Sequence, residues 1–417
     1  MKKRVVSMLL AALAATTVLT GCSGGNNQSS DNASAEGDTV SLKFWGDWTG
    51  EGEDWMNTMI DAFEAENPGI QIEYVPQPEL IDTLVTSIAG GTTPDILFWD
   101  RYLTNTYASE GFLYDIDDLV AENNVDLNTM VPGGIEEMTV DGNLYGLPII
   151  VDTRVFAYNV NDFEAAGITK APETWDEFLA DADAVTAVTG KPFTATDIQA
   201  MYPAMLQAGG YPVNDAGELQ YNTDAGKAAA NFYKTMLDKD QMLIQDQDLV
   251  TAFAQGNVSV IPVVPGDIRG INDFVGEGVK VGYFAPPAGP NGDKGAQLGG
   301  YALAIPAASK NAEAAFKFID WWATNADNSK IFCDLSGELP ANVELLESDA
   351  YTGTEDMAAF AEALMYARPR PAETWWDEVS EKVIKPTLEL FYEDKLTVDE
   401  LVAKIDEDGN ALIATLG

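Results

Sequence analysis

Apolar residues alternate between strand and helix periodicity from residue 40 onward, and this limits the folds open to the chain. Residues 40–45 (VSLKFW) and 70–74 (IQIEY) alternate apolar and polar side chains, which predicts half-buried strands. Residues 95–99 (DILFW) predict a fully buried strand. Helical spacing of apolar residues lies between these strands, over 55–63 and 80–88. The pattern predicts a βαβαβ unit and therefore a mostly parallel sheet covered by helices.

A second set of such elements follows and predicts a second lobe. Residues 175–188 and 232–237 have helical spacing, and residues 258–263 (VSVIPV) predict a buried strand. Residues 312–323 predict a strongly apolar helix, and the chain from about residue 356 is predicted to be helical to its end. With 417 residues, of which 46% are hydrophobic, the chain is long enough for two domains.

The first 21 residues have the pattern of a lipoprotein signal peptide. Cations at residues 2–4 precede an apolar stretch over 5–19 that is too short for an ordinary membrane span. The sequence Leu19-Thr20-Gly21-Cys22 then matches the site that bacterial lipoprotein signal peptidase reads. We expect cleavage before Cys22, lipidation of that residue, and a flexible polar linker over 22–39. The expected location is the extracytoplasmic face of the bacterial cell membrane.

Charge and residue types exclude several classes of function. The chain has 67 Asp and Glu against 23 Lys and Arg, a net charge of −44, which disfavours binding of nucleic acid or anionic lipid headgroups. It has no His, which removes Ser/His/Asp nucleophilic sites and His-ligated zinc. Carboxylates are the acid–base groups that remain. If Cys22 is lipidated, Cys333 is the one other thiol and no intramolecular disulfide is expected.

Neither a cofactor nor a metal ion is expected. The sequence contains no P-loop and no G-x-G-x-x-G motif, and the glycines of residues 276–282 are wrongly spaced for either. Residues 406–410 (DEDGN) superficially resemble a calcium loop but lack its ligand spacing and its terminal Glu. Polar residues at the end of a helix account better for that segment.

Seven short motifs carry a family resemblance. They are residues 44–52 (FWGDWTGEG), 63–70 (FEAENPGI), 89–95 (AGGTTPD), 141–148 (DGNLYGLP), 172–178 (PETWDEF), 299–306 (GGYALAIP) and 367–371 (ARPRP). Through these motifs, in family order, the chain resembles the extracellular solute-binding protein family 1 over nearly all of residues 40–417. Members of that family are carbohydrate receptors of ATP-binding-cassette (ABC) importers.

The resemblance implies an α/β fold of the type II periplasmic-binding-protein-like class. Two lobes with mostly parallel sheets flanked by helices would enclose a ligand cleft. The implied N-terminal lobe is residues 40–150 plus about 302–350, and the C-terminal lobe is 151–301 plus about 351–417. The implied function is to capture a sugar or oligosaccharide and deliver it to the permease subunits by lobe closure. We expect a monomer that is not an enzyme.

A sugar site needs aromatic rings for C–H faces and carboxylates, amides or arginines for hydroxyls. Loops at strand ends are where such side chains are expected. The candidates after the first and third predicted strands are Trp45, Asp47, Trp48, Glu51, Asp100 and Arg101. Two alternatives stay open here: Trp45 could fill the core, and Asp100 and Arg101 could pair with each other.

The other candidates lie near the chain crossovers that the resemblance implies. They are Asp152, Arg154, Asp267, Gly300, Tyr301, Arg370, Trp375 and Trp376. Asp152 is favoured most, because the resemblance places a sugar-binding carboxylate there. Gly300 is expected to let the backbone approach a ligand closely.

Three aromatic positions need separate treatment. Tyr301 stands where relatives often carry Trp, and two adjacent tryptophans, Trp375 and Trp376, cannot both face the cleft from one helix. Trp175 follows a natural N-cap, Thr174, and is expected to pack in the core. Where relatives tend to have Gly-Pro-Trp, this chain has Pro265-Gly266-Asp267, so a stacking ring is expected to be missing there.

Two alternative functions remain at the level of sequence. A surface glycoside hydrolase or lyase could use two carboxylates such as Asp47 and Asp152, a role that depends on the distance between them. A receptor for a cationic solute such as a polyamine is favoured by the acidity of the chain and by Asp267. An aromatic box around carboxylates without arginine would indicate the second alternative.

Overall fold

The computed structural model of the chain describes residues 39–198, 200–244 and 248–416. Cys22, the predicted signal peptide and the linker up to residue 38 lie outside the described residues. The strands are β1 Val40–Gly46, β2 Ile70–Pro76, β3 Ile96–Asp100, β4 Thr139–Val140, β5 Asn143–Leu144, β6 Gly146–Pro148, β7 Ile150–Thr153, β8 Val155–Asn159, β9 Thr194–Thr196, β10 Met242–Ile244, β11 Val260–Val263, β12 Val281–Phe284, β13 Ala296–Gly299, β14 Tyr301–Ala304, β15 Leu339–Pro340 and β16 Ala367–Arg368. The α-helices are α1 Glu51–Glu66, α2 Leu80–Gly90, α3 Thr104–Ser109, α4 Asp117–Glu122, α5 Pro132–Glu137, α6 Val160–Ala165, α7 Trp175–Thr189, α8 Met201–Gln207, α9 Asp224–Leu237, α10 Leu249–Ala254, α11 Asp267–Phe274, α12 Ala312–Ala323, α13 Ala326–Ser336, α14 Val343–Leu346, α15 Asp349–Thr352, α16 Glu355–Leu364, α17 Trp376–Val379, α18 Lys385–Tyr392 and α19 Val398–Leu416.

The first sheet has the strand order β2-β1-β3-β14-β6. β1 runs parallel to β2 and to β3, so the predicted βαβαβ unit is confirmed. β14 arrives from a distant part of the chain and pairs antiparallel with β3 and β6. Helices α1 and α12 pack on this sheet. Half of the strand pairings are therefore antiparallel, because β14 enters the sheet from its opposite end.

The second sheet has the order β10-β9-β11-β8-β12. β9 runs parallel to β10 and β11, whereas β8 runs antiparallel to β11 and β12. Each lobe thus has a mixed sheet where the sequence predicted mostly parallel pairing. The two-lobed α/β prediction itself is confirmed, although the exact residue boundaries of the lobes stay a prediction.

A third sheet, which we call the connecting sheet, has the order β15-β7-β13-β16. β7 leads along the chain from β6 of the first sheet to β8 of the second, and β13 leads back from β12 to β14. The two strands pair antiparallel, with Gly299 opposite Asp152. β16 pairs with β13, and β15 with β7. The chain therefore passes between the two large sheets through strands that are bonded to one another.

Local sequence explains α7, which begins behind Thr174 as predicted. The Thr174 hydroxyl accepts a hydrogen bond from the Glu177 N–H at 3.3 Å, and the Glu177 carboxylate accepts one from the Glu173 N–H at 2.8 Å. Trp175 is buried and stacks on Phe232 with ring centroids 4.4 Å apart. The predicted core role of Trp175 is confirmed.

The C-terminal part is less continuous than predicted. Helices α16 and α17 are separated by β16 and by a segment that carries Pro369 and Pro371, which cannot donate the backbone hydrogen bonds of a helix. In α19, Asp406 accepts hydrogen bonds from the N–H groups of Tyr221 and Asn222 at 2.6 and 2.8 Å. The segment at 406–410 therefore ties α19 to a neighbouring loop; its polar residues are helical, but they lie in the middle of the helix and not at its end as predicted.

Candidate functional site

Side chains from distant parts of the sequence meet at one edge of the first sheet. The parallel strands β1 and β3 end there and lead into Asp47 and Asp100. The antiparallel strand β14 begins at the same edge, since Tyr301 pairs with Asp100 in the register. Sheets of this kind present ligand sites beyond the carboxyl ends of parallel strands. We call this place the first-sheet edge.

Aromatic rings line the first-sheet edge. The Tyr301 ring stacks on Phe98 with centroids 4.4 Å apart. Trp48 packs edge-on against Phe98 at 4.8 Å and against Tyr301 at 5.5 Å. Because Trp48 and Tyr301 are half-buried, part of each ring stays accessible beside Asp47. Such surfaces pack well on the C–H face of a ring-shaped ligand.

The Asp47 carboxylate is half-buried at this edge. Its Oδ1 atom is inaccessible to solvent and has no hydrogen-bond partner among the described residues. Burial raises the pKa of Asp47 above its ordinary value, and the charge of Asp100 raises it further. Asp47 also lines a cavity at this edge, so its carboxylate is placed where it can accept a hydrogen bond from a ligand hydroxyl.

A cavity of about 290 Å³ opens at the first-sheet edge, with Asp47, Glu79, Asp100 and Tyr102 in its wall. Arg370 packs beside it. Its Nη2 lies 2.9 Å from Asp100 Oδ1, and its guanidinium lies 3.9 Å from the centroid of the Tyr102 ring. A carboxylate, an arginine and an aromatic ring are thus held together by a salt bridge and a cation–π contact.

A larger cavity of about 430 Å³ lies beside the second sheet. Its polar lining includes Arg154, Gln297 and Arg370, and its apolar lining includes Phe156 and Trp376. The volume is within the range of small-molecule pockets. Arg370 therefore belongs to both places, since it lines the larger cavity and contacts the wall of the smaller one.

Three carboxyl groups from separate segments interact electrostatically with one another, and Arg154 acts on two of them. They are Asp152 on β7, Asp267 at the start of α11 and Glu338 before β15. Burial raises the pKa of each, and Arg154 opposes that shift at Asp152 and Asp267. Glu338 Oε2 is inaccessible and has no partner among the described side chains and backbone. This part of the site carries more negative than positive charge.

One contact joins α11, which packs on α10, to α1, which packs on the first sheet. Arg269 on α11 lies 3.5 Å from the carboxylate of Glu51 on α1, and its guanidinium lies 6.0 Å from the Trp55 ring centroid. Its Nη1 also donates to the carbonyl oxygen of Leu335 at 3.3 Å. Both charged side chains are more than half exposed, so the ion pair itself contributes little to stability.

The structure contradicts the ligand role expected of Trp45. Its side chain is 8% exposed and belongs to the core of the first sheet. The reason is that β1 lies between β2 and β3 and that its last three residues, 44–46, are all buried, unlike Ser41 and Lys43 earlier in the strand. The alternative reading, in which Trp45 fills the core, agrees with this burial.

The expectations for Asp100 and Arg101 also need correction. The two residues do not pair with each other: Asp100 pairs with Arg370, and Arg101 pairs with Glu137 at 2.8 Å. Arg101 is fully buried and so has no surface to offer a ligand. Its side chain points into the protein, where backbone carbonyl groups take up its other donors.

Residue 300 must be glycine because another part of the protein, and not a ligand as expected, approaches its backbone closely. Its φ is +127°, and a Cβ atom there would lie 2.4 Å from the Ile150 carbonyl oxygen and 2.6 Å from Arg101 Nη1. The close neighbour is therefore β7 and a buried arginine, not a ligand.

The remaining candidates fall into two groups. Asp47, Trp48 and Tyr301 meet at the first-sheet edge, and Arg154, Arg370 and Trp376 line the larger cavity. Trp375 is half-buried against Trp376 and does not line either cavity. The Asp267 carboxylate accepts a hydrogen bond from the Val264 N–H at 2.9 Å, which fixes its own loop.

Several site residues were missed from the sequence. Tyr102 directly follows two of the candidates, and that proximity could have indicated it. Glu137, Glu338 and Arg269 reach the site through long-range packing, and no local pattern marks them.

Within the described residues, no helix is long and apolar enough to cross a membrane. The same part of the chain contains no group of three or more Cys, Asp or Glu side chains placed to hold a metal ion.

Similarity to known proteins agrees with this arrangement. A binding protein of Brucella abortus is 32% identical over 338 residues, which cover 77% of this chain and 80% of that protein. The arabinooligosaccharide-binding protein of Bacillus subtilis is 25% identical over 84% of this chain and 85% of its own length. The crystal structure of the GacH receptor of Streptomyces glaucescens, studied unliganded and with acarbose, superimposes with a TM-score of 0.80 at 22% identity and covers 90% of this chain and 99% of that one.

The family assignment rests on a longer match. Residues 47–329 match the bacterial extracellular solute-binding protein family, and this segment contains the first-sheet edge, β7, β13 and Asp267. The chain therefore belongs to the family of bacterial extracellular solute-binding proteins.

Proposed function

We propose that this protein captures a sugar or oligosaccharide between its two lobes and delivers it to the permease subunits of an ABC importer by lobe closure. The similar proteins from B. subtilis and S. glaucescens are an arabinooligosaccharide-binding protein and a receptor studied with acarbose. Family membership supports solute capture, and the chemistry of the site supports the choice of a saccharide.

The observation that carries the proposal is the pair of cavities that share Arg370. At the smaller cavity, Asp47 and Asp100 offer carboxylate oxygens next to the partly accessible rings of Trp48 and Tyr301. At the larger one, Arg154 and Arg370 offer donors next to apolar side chains. A sugar combines a rim of hydroxyls with apolar C–H faces, so it uses both kinds of surface.

A thermal-shift screen against neutral mono- and oligosaccharides, followed by titration calorimetry of the hits, tests this function. A ligand at 100 times its Kd adds about 2.7 kcal/mol to the free energy of unfolding, which is easily detected. We expect at least one saccharide to raise the melting temperature with saturable, one-to-one binding. Binding of polyamines or amino acids alone, with no response to any saccharide, would refute the proposal.

A cationic solute is the second candidate, because Asp152, Asp267 and Glu338 leave an excess of negative charge. Arg154 stands among these carboxylates, however, and Arg370 lines the same cavity. Arginine repels a free polyamine and is suited to hydroxyl groups. The polyamines in the screen therefore serve as the competing ligand class.

A hydrolase or lyase would use the carboxylates for catalysis. The match to a solute-binding family favours binding without turnover. Incubation of the protein with a saccharide that it binds, followed by chromatography of the sugar, should recover the ligand uncleaved.

We further propose that the protein works as a monomer attached to the outer face of the cell membrane through a lipid on Cys22. The proposal rests on the leader pattern and on the polar linker that follows it. The linker would keep the two lobes close to the permease while leaving them free to close.

A further inference from the structure

The last residue of β3 and the residue after it reach two strands of the connecting sheet and the segment that follows a third. Arg101 donates from Nη1 to the carbonyl oxygen of Ile150 on β7, and from Nη2 to that of Gly299 on β13. Asp100 accepts a hydrogen bond from Arg370, which lies two residues beyond β16, at 2.9 Å. Two adjacent residues of the first sheet thus hold the segments through which the chain passes to the second.

The environment of Arg101 is that of a fixed structural charge. The residue is fully buried, and its Nε donates to Glu137 at 2.8 Å, so one carboxylate balances its charge. A longer contact at 3.4 Å joins Nη1 to the Tyr301 carbonyl oxygen on β14. Arginine is suited to this place because its planar fork donates in several fixed directions, whereas the lysine ammonium on its flexible stem cannot reproduce the fork.

The backbone around the guanidinium is adapted to it. Gly300 joins β13 to β14 with φ +127°, and a Cβ atom there would lie 2.6 Å from Arg101 Nη1. The same atom would lie 2.4 Å from the Ile150 carbonyl oxygen, which is the acceptor on β7. Any side chain at residue 300 would therefore push Arg101 away from its acceptors.

We propose that Arg101 is a positioning residue for ligand binding: it ties β7 and β13 to the end of β3 and so fixes the hinge about which the lobes close. The proposal rests on the proposed function, in which closure accompanies binding. Arg101 touches no ligand because it is buried. Arg101 acts on affinity indirectly, because it raises the fraction of molecules in which β7 and β13 are correctly placed for binding.

Arg101→Lys is the main test, because it keeps the positive charge and most of the volume. We expect the variant to fold and to exchange the backbone amide hydrogens of β7 and β13 faster than the wild type in the absence of ligand. We expect its affinity for a saccharide found in the screen to fall by about tenfold, because only a minority of the molecules would then have the conformation that binds ligand. Gly300→Ala disturbs the same contacts from the backbone side and should have the same two effects.

Two control variants separate positioning from stability. Lys191 and Asp162 form a partly buried ion pair at 2.7 Å beside the second sheet. Lys191→Met should lower the melting temperature without changing amide exchange in β7 and β13 or the affinity. Glu137→Gln keeps an acceptor for Nε and leaves the carbonyl contacts in place, so it should destabilise the protein while keeping affinity close to that of the wild type.

The outcomes are distinct. Wild-type amide exchange in β7 and β13 of folded Arg101→Lys would overturn the proposal, and so would an affinity loss equal in Arg101→Lys and Lys191→Met. If Arg101→Lys does not fold, Gly300→Ala decides by the same two measurements. If no saccharide binds the wild type, the proposed function fails, and amide exchange in the ligand-free variants still decides whether Arg101 holds the connecting strands.

Discussion

At the scale of single residues, burial decides what a charged side chain can do. Asp152 lies on β7 opposite Gly299, where a Cβ atom would come within 2.6 Å of its Oδ1. Burial raises the pKa of Asp152, and Arg154 and Arg101 act against this shift. The Asp152 carboxyl group is thus kept desolvated at a cost to stability, and Arg154, two residues further along the chain, lines the larger cavity. Carboxyl groups with perturbed pKa values cluster at functional sites, and we therefore propose that Asp152 binds ligand.

Asp152→Ala should therefore weaken binding without unfolding the protein. Loss of a hydrogen bond to a charged group costs about 1.5–3 kcal/mol, which corresponds to roughly a ten- to hundredfold weaker affinity. The melting temperature should stay the same or rise at neutral pH, since a buried carboxylate next to Asp267 and Glu338 is removed. Titration calorimetry and thermal melts measure the two effects.

Asp162→Ala is the matched control for that experiment. Asp162 pairs with Lys191 at 2.7 Å and accepts from the Ser259 hydroxyl at 2.7 Å, away from both cavities. Its loss should lower the melting temperature and leave affinity unchanged. Wild-type affinity in Asp152→Ala would mean that the cleft has been placed wrongly.

The residues that the sequence misassigned share one cause. Trp45, Arg101 and Gly300 follow or end strands, and a position in sequence does not tell which side of the strand end faces solvent. Trp45 is buried because β1 is central in its sheet, and Arg101 because three distant backbone segments close over it. Asp47 and Asp100 line one cavity as strand-end reasoning predicts, since that reasoning needs only the direction of the parallel strands β1 and β3.

At the scale of elements, periodicity predicts what is local. The helix over 175–188 and the helix over 312–323 are observed as α7 and α12, because an apolar face and a cap are readable from neighbouring residues. The antiparallel direction of β14 depends on its pairing with β3, which lies more than 100 residues earlier in the chain. The pairing of β7 with β13 in the connecting sheet spans more than 100 residues as well. Periodicity within a segment carries no information about such pairing. Secondary structure was therefore predictable to a larger extent than strand direction.

Two aspartates on α7 allow the effect of burial on a carboxyl pKa to be compared with the effect of hydrogen bonding in the same helix. Burial and the nearby Glu177 raise the pKa of Asp181 to about 6. A hydrogen bond from Lys239, together with one from Gln241, lowers the pKa of Asp183 below its ordinary value of 3.8. The raised pKa means that ionisation of Asp181 costs stability as the pH rises from about 4 through 6, whereas ionised Asp183 stabilises the fold above pH 4.

Asp181→Asn should accordingly raise the melting temperature at pH 7, and this gain should vanish at pH 4. Asp183→Asn, two residues away, should lower the melting temperature at pH 7 and still lower it at pH 5. Melting curves of both variants from pH 4 to pH 8 give the comparison. Equal and pH-independent shifts in the two variants would contradict the assignment of opposite environments.

At the scale of the whole molecule, the two lobes are joined by the connecting sheet and by one continuous cluster of buried apolar side chains, which extends from Phe44 on β1 to Ile261 on β11. Arg269 with Glu51 is an exposed pair, and exposed pairs contribute little free energy. We propose that the lobes move about the connecting strands and that a ligand that contacts both favours the closed form by its differential affinity.

Ligand binding should compact the particle. Small-angle X-ray scattering of the protein with and without a saccharide confirmed by calorimetry should show a smaller radius of gyration at saturation. Arg269→Ala removes the contact with α1 but no residue of the two cavities, and it should keep the ligand-induced change. An unchanged radius of gyration in the saturated wild type would argue against closure.

The membrane attachment proposed above depends on a residue outside the described part of the chain. Lipidation needs the thiol of Cys22, and the leader ahead of it can be removed by lipoprotein signal peptidase only after that modification. Cys22→Ala should therefore abolish the mature, lipid-modified form, so that the protein stays uncleaved or is released.

Cys333→Ala is the matched control: that thiol is buried on α13, and its loss should leave lipidation intact. Intact-mass measurement of detergent-phase and aqueous fractions distinguishes the forms. A Cys22→Ala protein of mature mass that still partitions into detergent would show that the anchor lies elsewhere.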